Sequence, residues 1–475
     1  VRKTNSNTAG ITEKYANFGL RVFCFRGNPE NQGSGNTDVL RALNLVKLSG
    51  NAVFVSEPKS VGEELAGRLL LLLKDTPESV IFHLDIGALI EADVKEAEFT
   101  FQNIIQDFQD SQRRIILFVT GLTKALKHKG VVSVFCDIVT QKLVPIISFI
   151  DINEFRALEE LPELSGFLQF VLSGKPGILP PRNKTVLIVG ASSLFGSAVY
   201  SLFAREYKEV RGTGFNKASR MNFDRLDVTS EEEIKAYFSK HSAFDTIIYI
   251  AGEANADIAE KERERTHRLN VDAVSTIAKY AKDSKFVYIS SEYVFDGSSG
   301  PYGSGSAAKP INYYGYTKLE GEKVSLKNFP DSLIVRLGAL YGYNGPLDKE
   351  TTVSKLISSL SKPEPLKADN VQIKHPVLLD DAANLLLKLL DYNAKGVYQI
   401  NGPEGLNKQE MAERIAKVKE GMNGDKFSYP IIGTEQTAAA AKPLNTHMVN
   451  IDTPRSFEEG IVFMLKRQQE NKHEH

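Results

Sequence analysis

At 475 residues the chain can hold two or three domains, each burying a core of its own. Its 42% hydrophobic and 25% charged residues fit a globular protein, and 58 basic against 59 acidic side chains leave a formal net charge of −1. So balanced a chain offers no overall field to nucleic acid or anionic lipid, and neither is an expected partner. Two cysteines, Cys24 and Cys136, without CxxC or His/Cys spacing argue against a disulfide framework or zinc site, and no metal is expected. Tryptophan is absent. No apolar run reaches the roughly 18 residues that span a bilayer, and the polar start from Val1 to Thr8 lacks the apolar core of a secretory signal. The expected location is the cytoplasm, although a start at Val rather than Met leaves an upstream targeting segment open.

Residues 1–35 suggest no element. From 36 to 172, short apolar runs alternate with helical stretches, which predicts an α/β domain. Asn51-Ala-Val-Phe-Val55 reads as a strand running into a loop, followed by a helix from Val61 to Leu70. The segment Ile81 to Leu89 comes next, and then strands at Ile115–Val119 and Val144–Phe149. This order resembles the first nucleotide-binding domain of ClpB-type AAA+ chaperones, with Leu84-Asp-Ile-Gly-Ala-Leu89 among the matching residues. The phosphate loop of that family corresponds to Ser56-Glu-Pro-Lys-Ser-Val-Gly-Glu-Glu64, where glutamates replace Lys-Thr and would repel phosphate. Thr120-Gly121 stands where the family has Asp-Glu. The resemblance therefore implies a degenerate domain that hydrolyses no ATP and serves interaction or assembly, with an oligomer forming through it. His83 and His267 are lone histidines, read as structural or surface residues.

Three prolines and two glycines in the twelve residues from Ser173 to Lys184 read as a linker. A second domain is expected over 185–465, and the polar tail 466–475 is expected to be disordered. Thr185-Val-Leu-Ile-Val189 opens the domain as a buried strand, and Leu194 to Ala204 reads as a helix. Further strands are expected at Thr246–Ile250, Lys285–Ile289 and Ser332–Arg336. Alternation of this kind predicts a doubly wound parallel sheet, the Rossmann fold.

The turn after the first of these strands is Gly190-Ala-Ser-Ser-Leu-Phe-Gly196. Small residues there let backbone approach a pyrophosphate at a helix N-terminus, so Gly190, Ser192, Ser193, Leu194, Phe195 and Gly196 are candidate cofactor contacts. Ser193 takes the place of the middle glycine of GxxGxxG and can still fit. After the second strand come Asn216, Lys217 and Arg220 with no carboxylate, a pattern that suits the 2′-phosphate of NADP(H) better than the ribose of NAD. The competing reading is that both bases are solvated surface residues. Asp227 and Val228 are expected on the adenine side, and Ala251-Gly252 where the dinucleotide crosses the sheet.

Tyr314 and Lys318 stand at i, i+4 spacing, on one face of a helix. A phenol with its pKa near 10 is a poor acid or base at neutral pH until a neighbouring ammonium stabilises its phenolate. The ammonium can also hold the nicotinamide ribose. Ser291 ends the strand of Tyr288-Ile-Ser-Ser-Glu292, where open α/β sheets place ligands, and its hydroxyl can polarise a carbonyl beside Tyr314. Tyr313 and Tyr316 lie on other faces.

From Lys184 to about Asp452 the chain resembles extended short-chain dehydrogenase/reductases of the dTDP-4-dehydrorhamnose reductase family. The resemblance is greatest to the eukaryotic branch that contains the regulatory beta subunit of methionine adenosyltransferase. It rests on Tyr288-Ile-Ser-Ser-Glu-Tyr-Val-Phe-Asp-Gly297, Tyr314-Gly-Tyr-Thr-Lys318, Leu269-Asn-Val-Asp272 and Val335-Arg-Leu-Gly-Ala-Leu-Tyr-Gly342. It implies hydride transfer from NADPH to a nucleotide-linked 4-keto-6-deoxy sugar, a small C-terminal substrate lobe, and Ser291, Tyr314 and Lys318 as catalytic residues. Asn270 is carried over as a cofactor-side residue. The bacterial Asp-Gln-x-Gly-x-Pro-Thr segment corresponds to Asp369-Asn-Val-Gln-Ile-Lys-His-Pro376, without the glycine or threonine. Three readings stay open: the reductase, an NADP-binding regulatory subunit docked on the methionine adenosyltransferase catalytic subunit, and an assembly scaffold using NADP(H) as a redox sensor.

Overall fold

The computed structural model describes residues 6–18, 20–22, 39, 42, 45, 46, 51–55, 63, 65–70, 79–93, 95–111, 114–158, 168–172, 183–216, 222–241, 243–343, 350–424, 429–435 and 441–473. Cys24, the phosphate-loop-like stretch after Val55 and most of the proline-rich segment lie outside them. The chain divides into two compact units, Val1–Ile178 with Ile451–Thr453 and Leu179–Asn450 with Pro454–His475.

In the first unit the strands are β1 (Leu20–Val22), β2 (Asn51–Val55), β3 (Ser79–Asp85), β4 (Arg114–Thr120), β5 (Ile146–Ile150) and β6 (Phe170–Leu172). They form a sheet in the order β1-β3-β4-β5-β2-β6, with β1 antiparallel to β3 and the other pairs parallel. β2 is buried along its whole length and β4 from Ile115 to Val119, as interior strands of a parallel sheet require. The helix Ala97–Gln109 turns Phe101, Ile104, Ile105 and Phe108 inward at helical spacing. Asp85 caps the helix Ile86–Ala92, its carboxylate accepting from the Gly87 and Ala88 backbone N–H groups. His83 is hydrogen-bonded to the Thr120 hydroxyl at 2.9 Å.

The second unit contains β7 (Thr185–Val189), β8 (Glu209–Gly214), β9 (Asp224–Arg225), β10 (Thr246–Tyr249), β11 (Lys285–Ser291), β12 (Leu333–Leu337), β13 (Leu340–Tyr341), β14 (Leu366–Asp369), β15 (Val377–Leu378), β16 (Gly396–Ile400) and β17 (Ile431–Thr434). Seven of these make one sheet, ordered β16-β12-β11-β10-β7-β8-β9 and parallel throughout. The chain runs outward from β7 through β8 and β9, then returns to β10 on the other side of β7. That reversal opens a crevice at the carboxyl ends of β7 and β10, where such sheets bind ligands. Leu187, Val189, Ile247, Tyr249, Phe286, Tyr288 and Ile334 build the core beneath it.

A second core lies in the carboxyl-terminal part of this unit, around Tyr341, Leu356, Met411, Ile415, Phe457, Ile461 and Met464. It corrects the expectation of a disordered tail, because the helix Phe457–His473 runs through most of 466–475. Its first turns bury Phe457, Ile461 and Met464, Arg467 pairs with Asp380, and the Lys/Arg/Gln/Glu run beyond has good helix propensity. Among the described residues no helix is long and apolar enough to cross a membrane.

One buried ion pair ties the sheet to the helix Tyr313–Asn328. Arg336 on β12 donates from Nε and Nη2 to the two oxygens of Glu322 at 2.9 and 2.8 Å, and the Ser290 hydroxyl donates to the same carboxylate at 2.5 Å. Both charged residues are under 5% exposed. Removing one partner strands the other charge in the core, so Glu322→Ala is expected to cost about 3–5 kcal/mol. Urea denaturation followed through the second unit's transition measures that loss.

Candidate functional site

The nucleotide crevice begins where β7 ends. Gly190 adopts a φ of +91°, and a Cβ there would lie 2.6 Å from the Ala251 backbone nitrogen, so only glycine fits. Ser193 has a φ of −80° that needs no glycine, and its hydroxyl accepts from the Gly196 N–H at 2.9 Å, capping the helix Leu194–Glu206. The middle position of the motif is thus filled by a helix cap.

A cavity of about 280 Å³ opens beside this turn. Of the residues singled out in the sequence, Gly190, Ser192, Ser193, Asn216, Asp227, Val228, Ala251 and Gly252 line it. Leu194 begins the helix, Gly196 sits in its first turn, and Phe195 packs into the core behind the loop. The Asp227 carboxylate accepts from the Thr229 N–H and hydroxyl at 2.9 and 2.7 Å, which fixes the turn it occupies. Lys217 and Arg220 lie outside the described residues. Phe215 and Arg265, which sequence reasoning passed over, also line the cavity, as does Leu269, noted there only as part of a matched motif. Phe215 directly follows β8 and carries the Arg225 guanidinium 4.7 Å from its ring centre. Arg265 and Leu269 come from the segment after β10, where spacing at i, i+4 was the available signal.

Asn270 is fully buried and braces the walls of the site. Its carbonyl oxygen accepts from the Glu253 N–H at 3.0 Å, and its amide donates to the Thr317 hydroxyl at 2.9 Å. It belongs to a π-helical turn, Arg268–Asp272. Two phenols from neighbouring strands, Tyr249 and Tyr288, donate to the carbonyls of Leu269 and Asn270 at 2.6 and 2.8 Å. Their rings stack with centroids 6.1 Å apart.

Ser291 closes β11 and is 7% exposed. The helix bearing Tyr314 and Lys318 starts at Tyr313, capped by the Asn312 side chain, which accepts from the Gly315 N–H at 2.8 Å. A Cβ on Gly315 would fall 2.0 Å from the Tyr293 carbonyl oxygen, so this helix can touch the turn after β11 only through a glycine. That approach brings Tyr314 close to Ser291, whose hydroxyl accepts from the Tyr293 N–H at 3.2 Å. Burial raises the Tyr314 phenol well above its ordinary value, and the nearby Ser291 hydroxyl opposes the shift by favouring ionisation. Lys318 lies 4.2 Å above the Tyr288 ring, and burial pushes its ammonium down to about 7, with Glu322 opposing the shift. Ser291, Tyr314 and Lys318 therefore form one cluster at the carboxyl edge of the sheet.

The segment 369–376 contributes a second charged pair to the surroundings. Lys374 reaches Glu292 at 2.7 Å and sits 4.2 Å above the Tyr293 ring, which meets the Tyr314 ring edge-on at 5.6 Å. Burial works against the Lys374 charge, yet Glu292 and Tyr293 hold it above an ordinary lysine. His375 stacks on His447 with centroids 4.5 Å apart, and burial pushes them down to about 4 and about 3, leaving both neutral.

Residues 184–468 match the family described as RmlD substrate binding domain. The chain belongs to this family. Among RmlD-type relatives, methionine adenosyltransferase 2 subunit beta of Danio rerio is 31% identical over 277 residues, spanning 56% of this chain and 82% of that protein. A probable low-salt glycan biosynthesis reductase, Agl14, of Haloferax volcanii is 26% identical over 49% of this chain and 79% of its own. A solved dTDP-4-dehydrorhamnose reductase of Bacillus anthracis, in complex with NADP, superposes with a TM-score of 0.52 at 25% identity. The match covers 60% of this chain and 98% of that one. The α/β reading of the second unit is thereby established as the RmlD fold.

Two substitutions separate the roles of the turn after β7. Gly190→Ala is expected to distort the turn and abolish dinucleotide binding, read by fluorescence titration of NADPH. Ser193→Ala is expected to cost about 1 kcal/mol of stability through the lost cap, read by thermal denaturation.

Proposed function

We propose that the protein is an NADPH-dependent reductase of a nucleotide-linked 4-keto-6-deoxy sugar. The observation that carries this reading is the cluster of Ser291, Tyr314 and Lys318 at the end of β11, the strand next to β10, whose own end opens on a crevice suited to a dinucleotide. The crevice fits the cofactor on its own features: bare backbone at Gly190, the N–H groups of a helix start, and an open cavity. NADP binding by the Bacillus anthracis reductase supports the choice of cofactor. Bound NADPH supplies the hydride to the carbonyl carbon.

The chain's own residues handle the oxygen. The Ser291 hydroxyl donates to the carbonyl oxygen and orients it against Tyr314. Tyr314 gives its phenolic proton to that oxygen as negative charge develops, so the C=O becomes CH–OH. Lys318, when protonated, stabilises the phenolate left behind and holds the nicotinamide ribose, and solvent returns the proton.

Tyr314→Phe is expected to lower NADPH oxidation at least about 100-fold while cofactor affinity stays within about twofold. A coupled assay with dTDP-linked 4-keto-6-deoxy sugars and a parallel NADPH titration check both halves. The pH profile follows from Lys318, whose charged form prevails below its pKa of about 7. Hence kcat/KM should fall as pH rises through about 7, and Lys318→Met should give a low profile without that step.

A second reading is favoured by the beta-subunit relatives and by Lys374 and His375 in the substrate segment. In it the protein binds NADP(H) and regulates a methionine adenosyltransferase catalytic subunit. Tight NADPH binding without turnover on any keto-sugar nucleotide, together with co-elution with that subunit and a changed affinity for methionine, would decide for it.

A further inference from the structure

We propose that Arg265 is the cation that meets the pyrophosphate of the bound dinucleotide. The inference rests on the reading of the crevice as a dinucleotide site. Arg265 and Leu269 lie one helical turn apart after β10, and both face the 280 Å³ cavity. The same cavity is bounded by Gly190, Ser192 and Ser193 at the start of the helix Leu194–Glu206, so the guanidinium and the helix N–H groups share one space. Among the described residues lining it, Arg265 is the basic one and Asp227 the acidic one. The Asp227 carboxylate is occupied with Thr229.

The guanidinium is available for such a role. Its Nη1 lies 3.1 Å from Glu262 and 3.7 Å from Glu253, and the side chain is 49% exposed. An exposed pair with a half-exposed carboxylate is worth little in water, so it yields readily to a phosphate. Each phosphoryl group of a diphosphate presents pairs of oxygens that the two donors of a guanidinium edge can bind together, and a full positive charge adds to the N–H dipoles there. Glu253 is itself fixed, its N–H held by Asn270 and its carboxylate beside Arg265. The arginine is thereby kept at the edge of the crevice before any ligand arrives. The pyrophosphate is common to NADH and NADPH, whereas a 2′-phosphate is not. That difference makes the assignment testable.

The full chain, Arg265→Ala, Arg265→Lys and the control Arg268→Ala should be titrated with NADPH and with NADH by calorimetry. Arginine to alanine is favourable in a helix, so each variant should keep its thermal midpoint. Loss of a charge-assisted contact predicts that Arg265→Ala weakens both dinucleotides by about 10-fold. Arg265→Lys should recover part of that loss, and Arg268→Ala should change neither affinity. Unchanged affinities in Arg265→Ala, a loss confined to NADPH, or an equal loss in Arg268→Ala would each overturn the assignment. If the unaltered chain binds neither dinucleotide, the reductase reading falls first and this inference with it.

Discussion

The position of the helix that carries Tyr314 and Lys318 depends on a carboxylate that accepts three hydrogen bonds. Glu322 accepts from Nε and Nη2 of Arg336 and from Ser290, so the helix is pinned to β11 and β12 at once. Four residues earlier on the same helix, one turn away, Lys318 is buried above Tyr288, and one turn before that Tyr314 meets Ser291. Geometry at the reacting end is therefore set by electrostatics two turns below it. A carboxylate of this kind acts in two ways: it completes a buried charge pair, and it favours the charge of an otherwise desolvated lysine.

Most of the second unit's frame was legible in the sequence because its signals are local. The apolar runs at Thr185–Val189 and in β10, β11 and β12 appear where continuous hydrophobic segments stand, and the Tyr314/Lys318 spacing sits on one helix. What escaped was set by contacts between distant parts of the chain. Lys374 and Glu292 are separated by 82 positions, and nothing near either of them announces the pair. Asn270 matched a motif, but its commitment to Glu253 and Thr317 depends on how two segments pack. The tail helix was missed because polarity was weighed without the apolar turn at Phe457–Met464 that anchors it.

The substrate segment departs from its bacterial counterparts in chemistry as well as in letters. Lys374 brings a buried ammonium against Tyr293, a neighbour of Tyr314, and His375 brings one of two stacked neutral imidazoles. Glycine and threonine in that segment would offer open space and a hydroxyl. A lysine locked to Glu292 instead ties the segment to the turn after β11. The Ser291/Tyr314/Lys318 cluster and the 369–376 segment thus carry different constraints, on a scaffold whose relatives include both a probable reductase and a methionine adenosyltransferase subunit.

The stacked phenols of Tyr249 and Tyr288 have a consequence for optical study of this molecule. With no indole anywhere in the chain, near-ultraviolet dichroism comes chiefly from tyrosine and phenylalanine rings. A parallel pair with centroids 6.1 Å apart, both hydroxyls tied to the turn that holds Asn270, forms a natural chromophore in the sheet. Among the chain's 17 tyrosines, this coupled pair would add a dichroic contribution of its own that reads the packing around Asn270.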